Sequence, residues 1–188
     1  MFNRKQVKEN AKAALKGHLG SAILALFVIG LLVCAASATL VGAILLIGPL
    51  TAGLTFFFMK LYRREEVDFN YNFKGFSNFS NNMVAGILVS VFTFLWSLLF
   101  FIPGIIKNLS YSMTFYILND HPEYTGKQAI TESRRIMTGH KGELFVLYLS
   151  FIGWDLLSLL TFGILELVYV APYRSATLAG FYESIKGE

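Results

Sequence analysis

The chain has 188 residues, 55% of them hydrophobic, with 18 Phe and a formal net charge of +4, and its mean hydropathy is +0.56. A soluble domain must keep its surface wet, and this composition is too apolar for that. The single Cys34 excludes a disulfide framework and a four-cysteine metal site. The expected fold class is all-α: one polytopic membrane helix bundle of about six spans in three hairpins, each span near the bilayer length, with cytoplasmic amphipathic helices.

Residues 1–18 read as a basic amphipathic helix. At about 100° per residue, Val7, Ala11, Ala14 and His18 share one face and Lys5, Lys8, Lys12 and Lys16 the other. From Leu19 to Met59 no Asp, Glu, Lys, Arg or His occurs, about twice the run of roughly 20 apolar residues that one membrane helix needs. Breaks at Ala36-Ser37-Ala38-Thr39 and at Gly48-Pro49 make residues 19–59 a first hairpin. The basic front and Ala36-Ser37-Ala38 resemble a cleavable signal, but the apolar run resumes at once, which predicts retention as a membrane helix.

A cytoplasmic segment is expected over residues 60–82. A second hairpin follows over 83–119, divided at Pro103-Gly104. Residues 120–143 contain a second amphipathic helix, in which Ala129, Ser133, Ile136 and Met137 gather opposite Lys127, Arg134 and Arg135. Residues 144–182 form the third hairpin, turning at Phe162-Gly163, and 183–188 are a tail. All Lys and Arg except Lys107 and Arg174 lie outside the expected spans, and the turns near Ser37, Pro103 and Gly163 carry none. Basic loops stay inside, so both termini are expected to be cytoplasmic. The basic helices are expected either to meet anionic lipid headgroups or to act as solvated helices that fix topology. No nucleic-acid partner is expected, and no protein partner can be named.

The chain also repeats itself. Lys16-Gly17-His18-Leu19-Gly20 precedes the first span and Thr138-Gly139-His140-Lys141-Gly142 the fifth, with Phe76-Ser77-Asn78-Phe79-Ser80 before the third. Pro49, Pro103 and Pro172 each fall early in the returning helix of a hairpin, ahead of Thr55-Phe56-Phe57, Thr114-Phe115-Tyr116 and Thr177 to Phe181-Tyr182. The unit is an amphipathic helix plus a hairpin, used in parallel copies.

At these residues the chain resembles the bacterial DUF975 family of integral membrane proteins. The resemblance rests on Asn3-Arg4-Lys5 through Lys16-Gly17, Gly48-Pro49-Leu50, Tyr62-Arg63 through Gly75-Phe76, Pro103-Gly104-Ile105-Ile106, Glu132-Ser133-Arg134-Arg135 through Gly139-His140, and Pro172-Tyr173 through Phe181-Tyr182. It implies a multi-pass protein of the bacterial cell membrane with no established biochemical role and no catalytic residues to transfer. More distantly, the chain is similar to the membrane domain of some glycerophosphodiester phosphodiesterases, without a counterpart of their hydrolase domain.

No zinc helix, phosphate loop or paired cysteine ligands occur. Glu65-Glu66 begins a Glu-Glu-x-x-x-Arg membrane-protease pattern, but its arginine position is Asn70. His18, His121 and His140 sit at expected cytoplasmic edges. No cofactor or metal is expected.

Charges at bilayer depth are costly and usually paired. Counted from a turn at Gly163, Asp155 and Arg174 lie about 12 and 16 Å deep at 1.5 Å per residue, which predicts an ion pair across the third hairpin. Lys107 and Glu166 are both shallow, which predicts a second pair. Lys107, Ser110 and Thr114 share a face of the fourth helix, and Glu166, Tyr173 and Thr177 lie near one another on the sixth. These stripes either line a polar path or join helices by hydrogen bonds. The expected function is a noncatalytic interaction or lipid-associated envelope component, with a small-solute or lipid transporter or channel as the alternative and an intramembrane enzyme third.

Overall fold

The computed structural model describes residues 3–99 and 101–187, and among them every regular element is helical. Helix α1 (Arg4–Leu15) starts where the Asn3 side chain accepts the Gln6 N–H at 3.2 Å, satisfying one of the unpaired first-turn donors. It buries Val7, Ala11, Ala14 and Leu15, and the surface it covers belongs to α3 and α10, whose residue ranges are given below. Two sequence expectations change here. His18 is exposed and Leu15 takes its place on the buried face, while Lys8 is partly buried rather than solvated. The α1 face is therefore covered by protein, not by lipid or water.

Helices α2 (Leu19–Ser37) and α3 (Leu40–Tyr62) pack together, and Thr39 caps the second by accepting the Gly42 N–H at 3.0 Å. Within residues 60–82, Phe69–Asn78 is a 3₁₀ helix laid along α3. Glycines make this approach possible: a Cβ on Gly53 would lie 1.8 Å from the Asn72 carbonyl oxygen, and one on Gly75 would lie 2.0 Å from that of Pro49. Its outer face carries a run of neighbouring rings, Phe69, Phe73, Phe76 and Phe79.

Helix α4 (Phe79–Leu99) continues from the 3₁₀ helix and packs against α5 (Phe101–Tyr111), which holds Pro103 in its first turn, where a missing N–H costs little. A turn at Ser112-Met113 separates α5 from α6 (Thr114–Asp120). Helix α7 (Gly126–Ile136) opens with a reciprocal Thr125–Gln128 cap and buries Ala129, Ile130, Ser133 and Ile136, on a face supplied by α4 and α6. Helices α8 (Lys141–Leu149) and α9 (Ile152–Leu160) follow. Glu166–Val170 then forms a π-helical turn leading into α10 (Ala171–Ile185). Pro172 explains that turn, because it cannot donate to the Val168 carbonyl and its ring crowds that oxygen. The Ala171 N–H bonds the Glu166 carbonyl instead.

Among the described residues, four stretches are long and apolar enough to cross a membrane: Leu19–Ser37, Val41–Tyr62, Phe69–Leu98 and Lys141–Leu160. The two other expected spans are less regular. Residues 103–119 are broken between α5 and α6, and 164–182 contain the π turn with Glu166 and Arg174. The core lies toward the basic ends of the helices, with Phe57, Phe58, Met113, Ile117, Met137, Leu144, Phe151 and Phe181 buried. The turn ends are apolar and open, from Leu31 and Val41 through Leu98 and Ile102 to Leu159 and Phe162.

The repeated Gly-His sequences have one geometry. Gly17 and Gly139 adopt φ of 92° and 95°, and His18 and His140 directly precede α2 and α8. The third copy lacks this turn, since the 3₁₀ helix runs straight into α4. Open space surrounds Gly139, so Gly139→Ala meets only the backbone preference and is expected to cost about 1 kcal/mol. Gly53→Ala, which drives a methyl into backbone, is expected to cost about 3 kcal/mol. Thermal unfolding of the detergent-purified variants checks the order, and equal destabilisation would refute the close approach at Gly53.

Candidate functional site

Residues 144–182 concentrate charge and aromatic rings. The Arg174 guanidinium bonds Asp155 and stands 3.4 Å from Glu166 Oε1. One arginine thus faces two carboxylates, the second brought in by the π turn. Its Cζ lies 5.5 Å from the centre of the Phe151 ring. The Lys8 ammonium from α1 lies 4.2 Å from the same ring and donates to Ser150 Oγ at 2.9 Å. Tyr173 packs against Phe151 and Tyr169, with ring centres 5.2 and 5.8 Å apart. Burial lowers the Lys8 pKa from its ordinary value, and the neighbouring charges of Arg4 and Lys12 add to the effect.

The cluster is not enclosed, for the Asp155 and Glu166 side chains are 46% and 34% exposed. The structure does not bring Lys107 to Glu166. Lys107 instead places its ammonium 4.6 Å from the centre of the Trp96 ring on α4, an attraction between cation and π face. The expected pair fails because the π turn directs Glu166 to Arg174 on the same strand of the hairpin.

The hydroxyl residues of the expected polar stripes are buried and locally bonded. Ser110, Thr114 and Thr177 are at most 3% exposed. Ser110 and Thr177 donate to the carbonyls of Ile106 and Tyr173 in their own helices, and Thr114 at the start of α6 donates to the Tyr111 carbonyl at the end of α5. Ser133 of α7 serves the break between α5 and α6, donating to the Ser110 carbonyl at 2.8 Å and accepting the Met113 N–H at 3.3 Å. Asn119 likewise donates to the Ala52 carbonyl and to Thr55 Oγ1, each at 2.9 Å, joining α6 to α3.

A second charged assembly, not foreseen from sequence, joins the ends of α3, α6 and α10. Arg63 bonds both Asp120 carboxylate oxygens at 2.7 Å and Glu183 at 2.7 Å. Lys186 approaches Asp120 at 3.3 Å and Glu183 at 2.9 Å. The Tyr182 hydroxyl donates to Asp120 at 3.1 Å, and its ring stacks on Tyr116. Burial opposes ionisation of Asp120, but the hydrogen bonds and charge of Arg63, with Lys186, outweigh it and hold the carboxyl below its ordinary pKa. The signal available in the sequence was positional: Arg63, Asp120 and Glu183 each end a returning helix. Among the described residues, no group of three or more His, Cys, Asp or Glu could hold a metal ion.

The family model described as a protein of unknown function (DUF975) matches residues 1–107 and again residues 98–188. One match contains the Gly17-His18 turn and the other the Gly139-His140 turn. No curated protein and no solved structure matches the chain.

Two outcomes follow from the ion pairs. Asp155→Asn leaves Arg174 with Glu166 and is expected to be mild, whereas Asp155→Asn with Glu166→Gln strands the arginine and is expected to lower the melting temperature well beyond the sum of the single changes. Additive effects in that double-mutant cycle would contradict a shared arginine. At the other assembly, Arg63→Ala is expected to cost about 2 kcal/mol. Because the folded Asp120 pKa is depressed, its stabilisation is present above the unfolded value near about 4 and is lost as pH falls through the lower folded value. Melting curves from pH 7 to 3 are expected to converge for wild type and Arg63→Ala at the acid end, and a constant gap would remove Asp120 from the account.

Proposed function

The chain belongs to the DUF975 family, whose function is unknown, and from that premise we propose that it is a noncatalytic, lipid-associated integral membrane protein. It resides in the bacterial cytoplasmic membrane as six helical segments in three hairpins, with both termini inside. The observation that carries this reading is how the polar residues of the apolar segments are used. Ser110, Thr114 and Thr177 are spent on backbone carbonyls three or four residues before them, and Asp155, Glu166 and Arg174 on one another. Groups so engaged hold helices together. A polar path would need them to present free donors and acceptors, and the transport reading gains no support from them.

The apolar turn ends fit the same reading. Leu98, Ile102, Leu159 and Phe162 are exposed, and lipid is the solvent that tolerates a surface of that kind. The basic residues outside the segments favour cytoplasmic termini and contact with anionic headgroups.

Topology reporters test the proposal. A green fluorescent protein fused to the C-terminus is expected to fluoresce, and alkaline phosphatase inserted at the Phe162-Gly163 turn is expected to be active, since each works only on its own side of the membrane. Fluorescence lost at the C-terminus with phosphatase active there would overturn the orientation, and recovery of the chain in the soluble fraction would overturn the membrane reading.

A further inference from the structure

We propose that the junction of α1 and α2 is a binding site for the headgroup of an anionic phospholipid, an inference that rests on the membrane reading above. A cavity of about 380 Å³ opens there, lined by Lys12, Leu15, Lys16, Gly17, Leu19 and Tyr169. Its composition is that of an amphiphile's seat: two lysines together with two leucines and an aromatic ring.

Charge is the first argument. Residues 3–18 carry Arg4, Lys5, Lys8, Lys12 and Lys16 against the single carboxylate of Glu9. Among the described residues, neither Lys12 nor Lys16 has a carboxylate partner. Lys12 is oriented instead by the Tyr173 ring, whose centre lies 5.3 Å from its ammonium. In the second half, residues 126–143 set Lys127, Arg134, Arg135 and Lys141 against Glu132 and Glu143, with Arg135 bonded to Glu132 at 2.7 Å and His140 2.7 Å from Glu143. The first turn thus carries the larger excess of positive charge. A phosphate supplies the missing negative charge and the hydrogen-bond acceptors that ammonium groups seek.

Continuity with lipid is the second argument. The site lies where the basic helix meets the first apolar helix. Beyond Leu19, α2 exposes Leu24, Phe27 and Leu31, positions that follow one another down one side of a helix. A lipid whose phosphate sits at Lys12 and Lys16 can lay its chains along that stripe. A free phosphate would use only the lysines and leave the apolar part of the lining without an occupant, so the composition of the site favours the membrane lipid.

The test uses full-length protein purified in a neutral detergent and titrated with phosphatidylglycerol or phosphatidylcholine, retained lipid being read by native mass spectrometry. Wild type is expected to prefer phosphatidylglycerol, and Lys12→Gln with Lys16→Gln to lose that affinity by roughly tenfold or more, with phosphatidylcholine unaffected. Lys12→Arg with Lys16→Arg keeps the charge and is expected to keep the lipid, as is Arg135→Gln. Melting temperatures confirm that each variant is folded. Undiminished phosphatidylglycerol binding by the folded glutamine variant would overturn the site. A wild type that fractionates with membranes but shows no preference would overturn the site while leaving the membrane reading intact. Displacement of the lipid by millimolar inorganic phosphate alone would assign the lysines to a free anion and overturn the lipid proposal.

Discussion

On the proposed membrane reading, lipid surrounds the helices, and burying apolar side chains between them gains little, since the lipid tails are as apolar as the leucines they would replace. Cohesion must come from close backbone approach, dense contact between large side chains and polar groups that bond each other. Each occurs where this bundle is tight. Glycines let the 3₁₀ helix lie on α3, large side chains such as Phe57, Phe58, Phe181 and Tyr182 fill the space toward the basic ends, and Arg63, Asp120 and Glu183 tie the returning helices together. The turn ends are where apolar side chains stay exposed.

The same constraint governs the irregular backbone. A broken helix leaves carbonyls and amides unpaired, which is costly away from water. The break between α5 and α6 is served by Ser133 from a different helix. The π turn before α10 arises from Pro172, and its result is to carry Glu166 to Arg174. Polar side chains inside this fold thus repair or brace it.

Much of this was legible in the sequence where the signal is local. The uncharged run after Leu19 placed α2 and most of α3, 100° periodicity placed the buried faces of α1 and α7, and turn arithmetic brought Asp155 and Arg174 to one level. What was missed depends on partners distant along the chain. Arg63 and Glu183 are 120 positions apart, and no pattern of apolar residues reports such a meeting. The 3₁₀ helix at Phe69–Asn78 has no such local signal, because the glycine contacts that hold it to α3 are invisible until both backbones are placed. The Lys107–Glu166 expectation assumed a regular helix after Gly163, and the π turn rotates Glu166 away. His18 was misplaced for a similar reason, since the positive φ of Gly17 ends α1 before the helical period reaches it.

The central claim is that the interior polar residues are braces in a dry core. Single cysteines at Ser110 and Thr177, introduced without Cys34 and treated in intact membranes with an impermeant thiol reagent, test it most directly. A control cysteine at the exposed Ile102, close to the expected outer turn, shows that the reagent is active. The account predicts labelling at Ile102 and full protection at both interior positions. Labelling at Ser110 or Thr177 in a folded protein would mean that water reaches the core and would contradict it.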